Sequence, residues 1–181
     1  MWGIGREMDS DLKIWRTELL RHIECGEPLC RVSSKLDRKP VLIVAGACDA
    51  RDSEALASVR AKIEHRLADF SGHLISGGTR TGVCGLVGEL SEAIAPTGRK
   101  WRSTGYLPQK TADELVDQRY DRLVFTEGAS FSEMEPLQYW TDILAAGMKG
   151  VDVALLRHDG GRLSSFEEDL ALALGADVSR I

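Results

Sequence analysis

From Lys39 onward, short continuous apolar runs alternate with stretches in which apolar residues recur every three or four positions. The runs VLIVAGA (41–47), HLIS (73–76), RLVFTEG (122–128) and VDVALL (151–156) have the pattern of strands buried on both faces, and DVSRI (177–181) closes the series. Between them, helical spacing places Leu56, Val59, Ile63, Leu67 and Phe70 on one face, behind Asp52 or Ser53 as N-cap. The same spacing joins Val83, Leu86, Val87, Leu90 and Ile94, and again Leu137, Trp140, Ile143 and Leu144 within residues 132–148. A last helix is expected over 165–174. The segment 97–108 is less regular, with part of a strand expected near Trp101. Such alternation predicts an α/β fold, a Rossmann-like doubly wound, mostly parallel sheet with helices on both faces.

Upstream, Leu12, Trp15, Leu19, Leu20 and Ile23 share one helical face over 10–24, behind Asp9 or Ser10. GEPLCRVSSKLDRKP (26–40) mixes glycine, prolines, serines and charges and reads as a connection. The chain divides into an N-terminal helical segment and linker (1–38) and an α/β domain (39–181).

Composition narrows the functional classes. A hydrophobic content of 43% with 28% charged residues is that of a globular chain, and a net charge of −5 argues against a general nucleic-acid binder. No apolar run approaches the roughly 18 residues that span a bilayer, and the first residues lack the basic-then-apolar order of a signal peptide. Cys25, Cys30, Cys48 and Cys84 show no CxxC spacing, so neither a metal site nor a disulfide framework is expected, and a cytoplasmic protein with reduced thiols is.

Chemistry concentrates where strands end. Residues 76–88, SGGTRTGVCGLVG, hold five glycines in thirteen positions, at a strand-to-helix turn and in the helix that follows. An interior helical glycine costs about 1 kcal/mol relative to alanine, so their density needs a reason. Gly77 and Gly78 permit backbone angles that bring main-chain donors close to a phosphate, with Thr79 and Thr81 supplying hydroxyls and Arg80 a planar cation. The competing reading is a tight turn followed by close helix packing, with Gly85 and Gly88 as the points of approach. Gly77-x4-Gly82 has P-loop spacing but continues Val83-Cys84 where a P-loop needs Lys-Ser/Thr, which excludes that NTPase chemistry; the dinucleotide pattern GxGxxG is not met either.

Two further loops belong to the same edge. AGACDA (45–50) follows the first strand and places Gly46 and Ala47 in the ligand site, with Asp49 either a ribose contact or a helix cap. DGGRLSSFEED (159–169) turns at Gly160 and Gly161 into the last helix. There Ser164–Glu167 and Ser165–Glu168 have capping-box spacing; alternatively Glu167 faces the cleft, to bind ribose hydroxyls or act as a general acid/base. Thr126 ends another strand on this edge, His158 is expected as an exposed loop residue, and Tyr139 and Trp140 as helix packing rather than base-stacking surfaces.

SGGTRTGVCGLVG resembles the GGxxxGxxGxxG-type phosphate loop of the SLOG superfamily, and DGGRLSSFEEDLALALGA resembles its PGGxGTxEE element. The longer run from EPLQYWTDILAAGM to FEEDLALALGA is similar to prokaryotic SLOG domains akin to those of melastatin-type TRP channels, and more distantly to LOG phosphoribohydrolases. The resemblance spans about residues 39–181. It implies a nucleotide-derived ligand held by Gly77, Gly78, Thr79, Gly82 and Gly85 in the first loop and by Gly160, Gly161, Ser164 and Glu167 in the second, with Glu167 the catalytic candidate. The LOG catalytic arginine has no counterpart in QYWTDILAAGM, and Asp159 and Ser164 replace the motif's proline and threonine. The expectation is therefore a sensor or binding module for an ADP-ribose or cyclic-nucleotide type of ligand, with no cofactor and no metal. The alternative is a LOG-like N-glycosidic hydrolase of nucleoside monophosphates, in which Arg80 replaces the missing cation. A homodimer or higher homo-oligomer is compatible with the sequence.

Overall fold

The computed structural model describes residues 35–47, 53–94 and 98–181. The expected helix over 10–24, Asp49, Asp52, and Cys25, Cys30 and Cys48 lie outside them. Six strands, β1 (Val41–Gly46), β2 (His73–Ser76), β3 (Arg102–Pro108), β4 (Arg122–Thr126), β5 (Val153–His158) and β6 (Asp177–Arg180), form one sheet in the order β4-β3-β2-β1-β5-β6. Every neighbouring pair is parallel, so the sheet is parallel throughout rather than mostly. Helices α1 (Ser53–Leu67), α2 (Gly82–Ile94), α3 (Met134–Ala145) and α4 (Arg162–Leu174) lie between successive strands, except that β3 and β4 are joined by a loop with a short 3-10 turn.

Parallel strands need crossovers, and these put helices on both faces. Alternate residues of each strand therefore serve two cores. Val41, Ile43, Ile75, Tyr106, Val124 and Leu155 pack with Trp140 and Ile143 of α3 and Leu170 and Leu174 of α4. Leu42, Val44, Leu74 and Leu156 pack with Val59 and Ile63 of α1 and Val83, Val87 and Leu90 of α2. Each large apolar side chain buried this way contributes roughly 1.5–3 kcal/mol. Trp140 is fully buried among them, which settles its role as core.

Strand β3, RSTGYLP, carries a glycine, a proline and polar residues, which is why its pattern is weak. Gly105 is required by geometry: a Cβ there would lie 2.5 Å from the Cα of Gly78, so the two bare residues pack backbone to backbone. Helix α4 begins at Arg162, three residues before its expected start, because Gly161 supplies the cap without a side chain. Ser164 and Ser165 thus sit inside the first turn, and neither capping box forms.

The glycines of α2 have a structural role. A Cβ at Gly85 would lie 2.3 Å from the Arg80 carbonyl oxygen, and one at Gly88 would lie 1.9 Å from Oδ2 of Asp117. Asp117 is buried, and its carboxylate accepts from Nε and Nη2 of Arg119, both at 2.8 Å. Replacing Gly88 by alanine sets a gain in helix propensity of about 1 kcal/mol against a collision with a clamped carboxylate. We expect the collision to win, with a net loss of about 1–3 kcal/mol in urea denaturation. In an Asp117→Ala background the same Gly88→Ala change should become neutral or stabilising; equal losses in both backgrounds would contradict the contact.

Candidate functional site

Strands β1, β2 and β5 are neighbours, and their carboxyl ends open on one cavity of about 280 Å³. The chain leaves β1 toward β2, β3 and β4, then crosses back to β5 on the other side of β1. This reversal is where α/β sheets leave a crevice. Gly46 and Ala47 from the first loop, Gly77 from the second, and Gly160, Gly161 and Ser164 from the third all line the cavity. Loops more than a hundred residues apart in the chain thus share one rim.

Bare backbone is what lets them meet. Gly46 pairs with His158 across β1 and β5, and a Cβ on it would lie 2.4 Å from the His158 carbonyl oxygen. Gly160 has φ +91° and Asp159 φ +45°, a left-handed pair that reverses the chain before α4. The Asp159 carbonyl accepts from Arg157 Nε at 3.0 Å, which holds the turn from beneath. The first N–H groups of α4 have no acceptor within the helix, and the helix dipole adds positive potential at the same end. The Val83 N–H donates to the Ala47 carbonyl at 3.2 Å and ties α2 to the first loop.

The glycine-rich segment divides between two roles. Gly77 faces the cavity, and a Cβ there would lie 2.8 Å from Cys84 Sγ. Beyond it, Thr79 bridges to Val116, the Arg80 N–H donates to Leu115 and the Asp117 N–H donates to Gly78. Arg80 Nε donates to the Val116 carbonyl at 2.8 Å. Gly78, Thr79, Arg80, Gly82 and Gly85 are not in the cavity wall. Thr126 is likewise outside it; its hydroxyl donates to the Glu135 carboxylate, and Glu135 is in the wall.

The opposite wall carries the side-chain chemistry. Tyr106, Phe131, Glu135, Tyr139 and Glu167 line it with Cys84. The Tyr139 hydroxyl donates to Oε1 of Glu167 at 3.3 Å, and the ring stands edge-on to Tyr106, 5.8 Å between centroids. Glu135 accepts the Ser132 N–H at 2.7 Å, so a backbone donor fixes one of its oxygens. Burial pushes the Glu167 carboxyl up to about 8, reinforced by Cys84 and opposed by the Tyr139 hydroxyl and Arg157. A carboxyl raised this far favours its protonated form toward neutral pH, in which it can donate to a ligand as well as accept. Glu168, by contrast, turns away to pair with Arg157 and Arg180. Among the described residues the wall contains no Lys, Arg or His.

Sequence reasoning missed Phe131, Glu135 and Cys84 as wall residues. The spacing of Glu135 and Tyr139, one helical turn apart at the start of α3, was the available signal. His158 is not an exposed loop residue: it ends β5, with Nδ1 2.9 Å from the Ile181 carbonyl oxygen and its side chain 15% exposed. The chain end covers it.

Glu167 also sets a pH dependence. Below about pH 4.5 its carboxyl is protonated folded and unfolded; between there and about 8 only the folded state keeps the proton. Its contribution therefore falls as pH rises through that window and is lost above it. Glu167→Gln, uncharged and of the same shape, should flatten the melting temperature between pH 5 and 8 and exceed the parent protein at pH 8.5. Parallel curves for the two proteins would contradict this placement.

No family model matches the chain, and no curated protein matches it by sequence. Solved structures do match in fold. The Moco carrier protein of Chlamydomonas reinhardtii is 21% identical, with a TM-score of 0.54 over 80% of this chain and 76% of that one. The molybdenum cofactor binding protein of the phototrophic bacterium Rippkaea orientalis is 17% identical, with a TM-score of 0.55 over 79% of this chain and 76% of that one. At this identity the likeness establishes the Rossmann-like α/β fold.

Proposed function

We propose that this protein is a binding module for a small, nucleotide-derived ligand, acting as a sensor or carrier in the cytoplasm rather than as a catalyst. One observation carries the reading: bare backbone from the ends of β1, β2 and β5 converges with the N-terminus of α4 on a single cavity. Such an arrangement receives an anionic group through N–H donors without a cationic side chain. The far wall suits the rest of a nucleotide. Phe131 and Tyr139 offer apolar surface, and Glu135 and Glu167 offer acceptors to hydroxyl or amino groups. With Glu167 protonated, the cavity does not set two carboxylate charges against the incoming anion. At about 280 Å³ the cavity lies just below the roughly 300–1,000 Å³ usual for ligand sites, which favours a cyclic nucleotide or mononucleotide over full enclosure of ADP-ribose.

In this reading Gly46, Ala47, Gly77, Gly160, Gly161, Ser164 and Glu167 touch the ligand, while Gly78, Thr79, Arg80, Gly82, Gly85 and Thr126 hold those that do. Membership of the SLOG superfamily is part of the same proposal. The structural neighbours support a second ligand, since one is a carrier and the other a binding protein of the molybdenum cofactor. N-glycosidic hydrolysis is the weaker reading, because Arg80 is committed to Val116 and stands outside the cavity wall.

Calorimetric titration with cyclic AMP, AMP, ADP-ribose and molybdenum cofactor separates these. One of them should bind, and Gly161→Leu should abolish that binding while leaving the protein folded, because a Cβ at Gly161 meets no protein atom within 4 Å and only the glycine cap is lost. Binding unaffected by Gly161→Leu, or no binding by any of the four at millimolar concentration, would overturn the proposal. Release of free base from AMP, lost in Glu167→Gln, would move the assignment to the hydrolase.

A further inference from the structure

At the opposite rim, the amino ends of β1 to β4 enclose a second cavity of about 480 Å³. It lies at the other end of the strands from the first, across the length of β1. Its wall is basic in an acidic chain. Lys35, Lys39, Arg99, Lys100, Arg102 and Arg122 line it, against two carboxylates, Asp37 and Asp121.

Both carboxylates are already engaged. Asp37 lies 2.7 Å from Lys39 Nζ and 2.7 Å from His73 Nε2. Asp121 is held by Arg99 and accepts the Ser103 N–H at 2.7 Å. Arg99 is built into the wall, donating to the Ser91 carbonyl at 2.9 Å and stacking 4.7 Å from the Trp101 ring centroid. Lys35, Lys100, Arg102 and Arg122 have exposed side chains around this pocket. Like charges gathered in a concave, polar site repel one another and focus positive potential into it. The Arg102 N–H is held by the Gly72 carbonyl at 3.0 Å, which fixes the backbone from which its side chain extends.

We infer that this basic cavity is a second binding site, for a compact multivalent anion of the polyphosphate class. The inference stands apart from the ligand proposed at the carboxyl rim, because the two cavities share no residue. Arginine supplies paired donors to phosphate oxygens and lysine a point charge, and the four exposed cations come from the approach to β1, the start of β3 and the start of β4. A chelating anion would thus bridge segments distant in sequence and relieve their repulsion.

Inorganic tripolyphosphate is the probe. Titration calorimetry and thermal shift should show binding to the parent protein, and the Lys100→Gln/Arg102→Gln double variant should bind at least about tenfold more weakly. That variant should be no less stable without the anion and should lose the anion-induced rise in melting temperature. A charge-matched control, Lys62→Gln/Arg66→Gln on α1, and Gly161→Leu at the other rim should both bind as the parent does. The inference is overturned if the parent does not bind, if the double variant binds undiminished, or if the α1 control weakens binding equally. It is also overturned if Gly161→Leu abolishes binding, or if only acidic peptides and not tripolyphosphate bind.

Discussion

Everything at the carboxyl rim depends on the parallel pairing of β1 with β5. Six residues run in register from Val41↔Val153 to Gly46↔His158. At the last pair the chains approach so closely that Gly46 has no room for a side chain. That contact brings the AGA turn after β1 beside the DGG turn after β5, although more than a hundred residues separate them in the chain. Parallel pairing leaves strand ends unlinked, so each must turn into its own helix or loop on the same side of the sheet. Several loops and helix starts therefore crowd one edge, and a cavity lined by main chain follows from the topology itself.

Glycine serves two purposes along this edge. Gly78 against Gly105, Gly85 against the Arg80 carbonyl and Gly88 against Asp117 are contacts within the protein. They hold α2 and its preceding loop close to β3 and to the segment around Asp117. Gly46, Gly77, Gly160 and Gly161 line the cavity, Gly46 and Gly77 while also packed against His158 and Cys84. Part of the glycine density thus belongs to folding and part to the rim, and the first part positions the second. Glu167 carries the opposite burden. Half-buried in the cavity wall beside Tyr139, its carboxyl is pushed up to about 8, chiefly by desolvation.

The layered fold was legible because continuous apolar runs and helical spacing are local consequences of burial on both faces. β3 was the weakest element, since Gly105 and its polar neighbours are shaped by contact with Gly78, a relation that spacing within one segment cannot reveal. Likewise, Arg80 reads from sequence as a cation for a phosphate, and only the three-dimensional pairing of residues 78–80 with 115–117 shows its Nε committed to a carbonyl. Ser164 and Ser165 have capping-box spacing, but the conformation of Asp159, Gly160 and Gly161 starts the helix earlier. The wall residues Phe131 and Glu135, four apart on the approach to and first turn of α3, and Cys84 on α2 went unseen because only the folded sheet sets the two helices against one cavity.

The two rims of the sheet thus differ in kind, one built of bare backbone and buried carboxyl groups, the other of exposed cations. The claim at the centre is that the amides of the first rim act together on one ligand. Amide chemical shifts followed during titration with cyclic AMP test it most directly. Gly46, Ala47, Gly77, Gly160 and Gly161 should shift along a single binding curve, with residues at the amino rim still. Shifts confined to other surfaces, or separate curves for the three loops, would contradict it.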